Sequence, residues 1–202
     1  MQVVYEFTTD PQLLEQYYQL REQCYREELK LPDFNGAEEP ADRNGRILIA
    51  RNGDLCLGGA RITSGTSDES MSLSLNDLMP ELGLQKGPYC MWERLSLSKE
   101  LREYNCQKEF CAHLVNASWN LGYDYAFMVS SIRNARFYRL CHSVLDVTYR
   151  IFNQVKCTPK GTFSQLEHVL SAAHLSPVAF GKHSWDWRQH QTNRPLPYGV
   201  AA

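Results

Sequence analysis

The sequence predicts a single α/β domain in which helices flank a central, mixed and twisted sheet. Short apolar runs that suit buried strands alternate with segments whose apolar residues recur every three or four positions, the period of an amphipathic helix. The pair Asn52-Gly53 stands between two apolar runs and predicts a β-hairpin. The 202 residues can bury one sizeable core, and the chain contains no internal repeat and no linker between two cores.

The predicted elements begin in the order strand, helix, hairpin, strand, helix, strand, helix, strand. The first helix has a clear start, because Asp10 is a good N-cap and Pro11 suits the first helical position; it ends near Leu29. The predicted strands are residues 1–9, 46–51, 54–63, 90–97, 123–130, 146–152 and 177–180. The other predicted helices are residues 105–121, 134–142 and 162–174. These elements form one domain over residues 1–180, and we expect the polar, aromatic tail 181–202 to lie on its surface.

The composition is that of a soluble globular protein. Hydrophobic residues make up 43% and charged residues 22%, and the formal net charge is -2. Because the chain has no long basic run, we expect no nucleic-acid partner. No apolar run approaches the roughly twenty residues of a membrane span, and the N-terminal residues do not resemble a signal peptide.

The seven cysteines are scattered through apolar segments without a CxxC pair. This distribution is typical of reduced thiols that act as small hydrophobic residues, and it predicts a cytoplasmic protein. A metal site requires clustered ligands, and His113 near Cys106 and Cys111 is only a weak candidate. We therefore predict no metal ion.

Two stretches have unusual charge patterns. The predicted strand 90–97 is apolar but contains Glu93 and Arg94 side by side, and neighbours on a strand point to opposite faces. A buried carboxylate is costly unless it is paired, so Glu93 is either half of a structural ion pair or a functional group. The loop 32–45 is acidic and rich in turn-forming residues, and we expect it to be disordered in the free protein.

The first part of the chain resembles the acyl-homoserine lactone (autoinducer) synthases, a family of GNAT acyltransferases. Arg21 and Tyr25 match an arginine and an aromatic residue four positions apart on that family's first helix, whereas Leu31 stands at its tryptophan position. Glu38 and Asp42 fall where the family has two loop aspartates.

The resemblance continues through the next strands. The GGARI segment at 58–62 and the NDLMPEL segment at 76–82 are similar to family motifs. Trp92-Glu93 matches the start of the family's W-E-x-S-R strand, but Ser96 stands at the arginine position and Arg94 is nearby. The segment 134–142 resembles the GNAT pattern N-x-x-FY-x-x-x-G-F, with Cys-His in place of Gly-Phe.

The resemblance implies a single GNAT-like domain that transfers an acyl group from acyl-CoA or an acyl carrier protein to an amine. The implied acceptor is S-adenosyl-methionine, the product is an acyl-homoserine lactone used in quorum sensing, and no cofactor is tightly bound. Glu93 is the implied base and Tyr138 the proton donor to the leaving sulfur. The implied substrate-binding residues are Arg21, Tyr25, Asp42, Arg61, Arg94 and Ser96.

The donor site is less typical. Residues 101–106 contain no glycine, unlike the pyrophosphate loop of ordinary acetyl-CoA enzymes, so Arg102 and the N-terminus of the next helix at Asn105 are the predicted phosphate ligands. We expect the acyl chain to contact Phe127, Met128 and Leu140. An N-acyl amino acid synthase, a small-molecule N-acetyltransferase and a catalytically silent GNAT-fold binding protein remain alternatives.

Overall fold

The computed structural model describes residues 2–64, 75–157 and 161–179. Within them, the strands are β1 (Val4–Phe7), β2 (Arg46–Asn52), β3 (Leu55–Ser64), β4 (Tyr89–Leu97), β5 (Tyr125–Ser130), β6 (Tyr149–Cys157) and β7 (His168–His174). The helices are α1 (Pro11–Glu28), α2 (Pro40–Asn44), α3 (Leu75–Glu81), α4 (Lys99–Glu103), α5 (Gln107–Asn120) and α6 (Ile132–Ser143). No helix in these residues is both long enough and apolar enough to cross a membrane.

The strands form one mixed sheet in the order β1-β2-β3-β4-β5-β7-β6. All neighbouring strands are antiparallel except β4 and β5, which are parallel. The predicted mixed sheet flanked by helices is therefore confirmed. The hairpin is confirmed as well, and Gly53 takes the positive φ of +58° that its turn requires.

Helices cover both faces of the sheet. Alternation along β2 places Ile47 and Ile49 against α1, whereas Leu48 packs with α5 in the main core. The start of α1 follows from its sequence: the Asp10 carboxylate accepts hydrogen bonds from the amides of Gln12 and Leu13 at 2.8 and 3.2 Å.

β4 and β5 pair only at their beginnings. The parallel register covers three residue pairs and ends at Met91↔Phe127, after which both strands continue without pairing to each other. We call the opening beyond this last pair the fork. It leaves backbone groups of β4 and β5 that no strand-to-strand bond satisfies, at the centre of the sheet.

The C-terminal part of the prediction is wrong. Residues 162–174 do not form a helix: a short 3₁₀ turn at Gly161–Phe163 is followed by β7, which pairs with β5 on one side and β6 on the other. The helical spacing of the apolar residues in this segment is coincidental. Phe163 belongs to the turn, Leu166 to the loop after it, and Val169 and Leu170 to the strand. β7 has a paired strand on each side, and residues 170–173 are buried whichever face they point to, so they show no period of two.

Two smaller corrections concern element boundaries. The helix predicted at 105–121 is confirmed as α5, which begins only at Gln107 because Asn105 takes φ +57° in a turn, and the short helix α4 before this turn was not predicted. Residues 177–179 form no strand, and residues 180–202, including the predicted surface tail, lie outside the described part of the chain.

Gly59 on β3 permits the close approach of α1. A Cβ atom at this position would lie 2.6 Å from the Tyr17 ring. We expect Gly59→Ala to lower the free energy of unfolding by about 1–3 kcal/mol in urea titrations, because the ring must move. In a Tyr17→Ala background the same change should cost much less, and strictly additive effects would contradict this account.

Candidate active site

Three arginines and three carboxylates from α1, α2, β3 and β4 form one connected ion network. Asp42 is its centre: it accepts from Arg21 at 3.1 Å and from Arg61 at 2.9 Å. Arg61 also donates to Glu39 at 2.7 Å and, through Nε, to Glu93 at 3.0 Å. The sixth member, Arg94, donates to Glu39 at 3.0 Å. The predicted residues Arg21, Asp42, Arg61, Glu93 and Arg94 are thus brought together.

The network is buried at one end, the dry end, and exposed to solvent at the other, the open end. The side chains of Arg21 and Asp42 are 0% exposed and that of Arg61 is 3% exposed, whereas Glu39, Glu93 and Arg94 are each 22–26% exposed. Charges removed from water must be paired, and here each carboxylate has an arginine partner. A ligand can therefore reach the network only at its open end.

Glu39 is the network member that the family resemblance does not indicate. The analysis named Glu38, but Glu38 pairs with Arg43 at the surface, 2.9 Å away. Pro40 and Asp42 could have indicated the role of Glu39. A Pro at the first helical position and an acid two residues later are typical of a helix that starts just after Glu39. The Glu39 amide donates to the Asp42 carboxylate at 2.7 Å, which fixes both acids relative to each other.

The acidic loop has a defined conformation, contrary to the predicted disorder. Arg21 donates through Nε and Nη2 to the carbonyl of Gly36 at 3.1 and 2.7 Å, and Glu22 accepts from the Gly36 amide at 2.9 Å. These bonds satisfy the loop backbone with side chains of α1. The acidic composition is therefore used for internal pairing rather than for solvation.

The electrostatics of the network favour its charged state. Burial alone would raise the pKa of Glu39, but hydrogen bonds from Arg94 and Arg61 outweigh it and the pKa lies below its ordinary value. Burial alone would lower the pKa of Arg61, but Glu93, Glu39 and Asp42 hold it above its ordinary value. Glu39 and Arg61 accordingly form a pair of opposite charges at neutral pH.

A β-bulge in β4 aims Glu93 and Arg94. Gly59 pairs with Ser96 and Arg61 with Glu93, so β4 advances three residues while β3 advances two. Arg94 adopts φ +54° in this bulge. Its carbonyl accepts from Tyr17 at 2.8 Å and from Ser96 at 3.3 Å. The predicted residue Ser96 is therefore buried and bonded to the bulge backbone.

Among the described residues, two groups donate to the Glu93 carboxylate, and both hydrogen bonds are accepted by Oε2. Arg61 Nε and Thr63 Oγ1 each lie 3.0 Å from it, and Thr63 is a second residue that the sequence analysis missed. They hold the carboxylate beside the fork, because Glu93 comes two residues after Met91, the last β4 residue paired with β5. The arrangement can position a carboxylate oxygen next to a ligand that enters the fork.

Aromatic rings flank the open end of the network. Tyr25 stacks on Phe34 with ring centroids 4.5 Å apart, and Phe163 meets both rings at 5.9 and 5.7 Å. The Arg94 guanidinium lies 4.7 Å from the Phe163 centroid, a cation–π distance. Burial raises the pKa of Tyr25. This predicted substrate-binding residue thus lies beside the network, in an apolar and cationic wall.

Tyr138 lies on the inner face of α6, on the opposite side of the sheet from α1. It is buried, and burial raises its pKa well above the ordinary value, so its hydroxyl is protonated at neutral pH. Tyr25 and Tyr149 are among the groups that act electrostatically on it. The role of Tyr138 as a proton donor stays a prediction.

The two residues predicted to bind phosphate lie apart from this network. Arg102 pairs with Glu28 of α1 at 2.7 Å. Backbone amides between Leu101 and Cys106 donate to acceptors close by in the chain. The Leu101 amide donates to Ser98 Oγ, and the Asn105 amide donates to the Arg102 carbonyl. Their role in donor binding stays a prediction.

The predicted acyl-chain contacts are not on one surface. Phe127 and Met128 are consecutive on β5 and pack in different cores on the two faces of the sheet. Leu140 points outward and is 61% exposed. Of the three residues, Met128 is on the face of Tyr138. An open groove of about 500 Å³ lies elsewhere, between α1 and residues 35–38.

Comparison with models of known protein families gives no match, and no curated protein sequence matches the chain. Solved structures do match. LasI, an acyl-homoserine lactone synthase, has a TM-score of 0.61 over 87% of this chain and 91% of its own, at 14% identity. BjaI, a CoA-dependent acyl-homoserine lactone synthase, has 0.60 over 81% and 76%, at 16% identity.

The fold is of the GNAT type. FeeM, an N-acyl amino acid synthase from uncultured soil microbes, matches with a TM-score of 0.52 over 94% of both chains, at 12% identity. These structural neighbours are acyltransferases, and the match at such identities concerns the fold.

Replacing the central carboxylate tests the network. We expect Asp42→Asn to lower the free energy of unfolding by about 3–5 kcal/mol in urea titrations, because two buried guanidinium groups lose their shared partner. The control is Glu38→Gln in the same loop, which breaks a surface pair and should change the free energy by less than about 0.5 kcal/mol. Equal effects of the two changes would contradict the assignment of Asp42 as the centre.

Proposed function

We propose that this protein transfers an acyl group from a thioester to an amine, with S-adenosyl-methionine as the acceptor and an acyl-homoserine lactone as the product. The observation that supports it best is the ion network with its open end at Glu93, beside the fork of a GNAT-type sheet. The network supplies fixed charges of both signs, which suit an acceptor that has an amine and a carboxylate. The thioester is acyl-CoA or an acyl group carried by acyl carrier protein.

In the proposed reaction the amine nitrogen attacks the thioester carbonyl. Glu93 takes the amine proton through Oε1, the oxygen to which neither Arg61 nor Thr63 donates. Backbone N–H groups beyond the fork stabilise the oxyanion, because they have no partner on the neighbouring strand. The C–S bond then breaks, and Tyr138 donates a proton to the leaving thiolate. Cyclisation follows when the acceptor carboxylate displaces methylthioadenosine from the acylated S-adenosyl-methionine.

Replacing Glu93 tests this mechanism. We expect Glu93→Gln to lower the turnover of acyl-CoA with S-adenosyl-methionine by about 10²–10⁴-fold, measured as acylated product by mass spectrometry. Glu103→Gln, on the exposed side of α4, is the control and should leave turnover unchanged. Unchanged turnover in Glu93→Gln would refute the assigned base, and a wild type without turnover for any amine would favour a catalytically silent binding protein.

A second candidate is an N-acyl amino acid synthase. Arg94 is at the open end of the network, where its side chain is 22% exposed and its guanidinium is close to the acids that would hold the acceptor amine. A free amino acid presents the same amine and carboxylate as S-adenosyl-methionine without a sulfonium. FeeM, which matches over 94% of both chains, is a synthase of this class.

Ligand-induced stabilisation separates the two candidates. A ligand at about 100 times its Kd stabilises the folded state by about 2.7 kcal/mol, which raises Tm by roughly 5 °C or more in a domain of this size. We expect this increase with S-adenosyl-methionine and not with the free amino acids. The opposite result would assign the protein to the N-acyl amino acid synthases.

A further inference from the structure

The outer side of α6 carries a group of exposed apolar side chains. Seven large apolar side chains are exposed among the described residues, and four of these are on α6 or at its C-cap. Their exposed fractions are 36% for Ile132, 41% for Phe137, 61% for Leu140 and 55% for Val144. A single exposed apolar residue is normal on a protein surface, whereas a group on one element indicates a surface that meets a partner.

Three arginines lie on the same side of the helix. Arg133, Arg136 and Arg139 are all exposed, and α6 contains no acidic residue. The ion pairs among the described residues include none of these three arginines. Lys108 of α5 is also exposed and acts electrostatically on Cys141 of α6, so a fourth cation lies beside the helix. The partner of this surface is therefore expected to be anionic.

The apolar and basic side chains form two neighbouring stripes. Phe137, Leu140 and Val144 are spaced by three and four residues, so they lie in one row along the helix. Arg136 and Arg139 each precede a member of this row by one residue and form a second row beside it. The buried residues of α6 are on its other side, against the sheet. We call the two rows together the α6 face, and one partner can contact both rows at once.

Charge argues against two occupants that the chain itself could supply. A second copy that docks through the same face would bring arginines against arginines. Residues 180–202 contain one lysine and two arginines against one aspartate, so this segment is also repelled by the α6 face. The occupant is accordingly another molecule with negative charge.

The size of the α6 face favours a lipid surface over a protein. The helix has 12 residues and is therefore about 18 Å long, and its outer side is roughly 10 Å wide. This area of roughly 200 Å² is far below the about 800 Å² per partner that a specific protein interface buries. A bilayer has no such requirement, because its fluid surface adapts to a convex helix and arginine side chains extend to the phosphates while apolar ones enter the acyl region.

We infer that the α6 face binds the surface of an anionic lipid bilayer. The row of Phe137, Leu140 and Val144 enters the boundary between headgroups and acyl chains, and the arginines contact the lipid phosphates. The helix lies in the plane of the membrane, so the protein is peripheral and its binding is reversible. This inference stands on α6 and does not depend on the proposed acyl transfer.

The first test is sedimentation of the wild type with two kinds of vesicle. One kind is phosphatidylcholine alone, and the other is phosphatidylcholine mixed three to one with phosphatidylglycerol. We expect the protein to sediment with the anionic vesicles only. Raising NaCl from about 0.1 M to about 1 M shortens the Debye length from about 10 Å to about 3 Å and should release the protein. Neither comparison needs a variant.

The second test compares two variants with the same net charge. The charge variant replaces the three arginines of α6 with glutamine, and we expect it to bind the anionic vesicles about a hundredfold more weakly. The control removes three positive charges from exposed positions elsewhere and should bind within about threefold of the wild type, because charges beyond a Debye length are screened. The control substitutions are Arg43→Gln, Lys86→Gln and Lys99→Gln.

The third test removes apolar contacts without a change of charge. We expect the double variant Leu140→Gln and Val144→Gln to bind the anionic vesicles about tenfold more weakly, because both side chains are more than half exposed and would lose their place in the acyl region. Unchanged binding would mean that no apolar side chain inserts and would overturn the proposed orientation of α6.

Three further results would overturn the inference. Wild-type protein that ignores both kinds of vesicle, or binds both equally, does not recognise an anionic bilayer. Equal losses in the charge variant and the control would mean that net charge, and not the α6 face, controls binding. Binding of acyl carrier protein that the charge variant loses, together with no binding to vesicles, would assign the face to an acidic protein.

Discussion

The structure of the site depends on one carboxylate placed between two buried guanidinium groups. Asp42 lies at the start of α2, Arg21 in the middle of α1 and Arg61 on β3, and none of the three is more than 7% exposed. A buried ion pair is not in itself strong evidence of stability, because desolvation opposes the attraction. Its geometric effect is certain, however: the three elements cannot move apart without stranding a charge in the core.

The ion network that joins α1, α2 and β3 extends from the core to the protein surface. From Asp42 the network passes through Arg61 to Glu39 and Glu93, whose side chains are about a quarter exposed. The groups able to meet a ligand are therefore held in place by the buried ones. Such preorganisation is what electrostatic catalysis requires, because fixed charges need not reorganise during the reaction.

The fork connects two sides of the sheet that are otherwise separate. Trp92 and Glu93 are consecutive, so the alternation of β4 places the acid on the α1 face and the indole on the α6 face. In the proposed reaction, a ligand held where β4 and β5 stop pairing meets Glu93 from one side and Tyr138 from the other. The bulge at Arg94 interrupts the regular pairing of β4 with β3 directly after Glu93.

The sequence by itself determined the elements that have strong local signals. Asp10-Pro11, Asn52-Gly53 and the apolar strand with Glu93 each act through their immediate neighbours, and the structure has α1, the hairpin and β4 at these places. The resemblance to a family added Arg21, Asp42 and Arg61 as a group, and these residues do meet.

Only the tertiary structure decided the rest. Residues 168–174 are a strand because β5 and β6 pair with them on both sides, a long-range bond pattern that no local period reveals. Glu39 rather than Glu38 joins the network because α2 begins at Pro40 and turns the two neighbouring acids in different directions. The loop 32–45 is ordered because its backbone bonds to Arg21 and Glu22, partners supplied by another element. In each case the outcome depends on a contact between residues that are distant in sequence, or on the direction in which neighbouring side chains point.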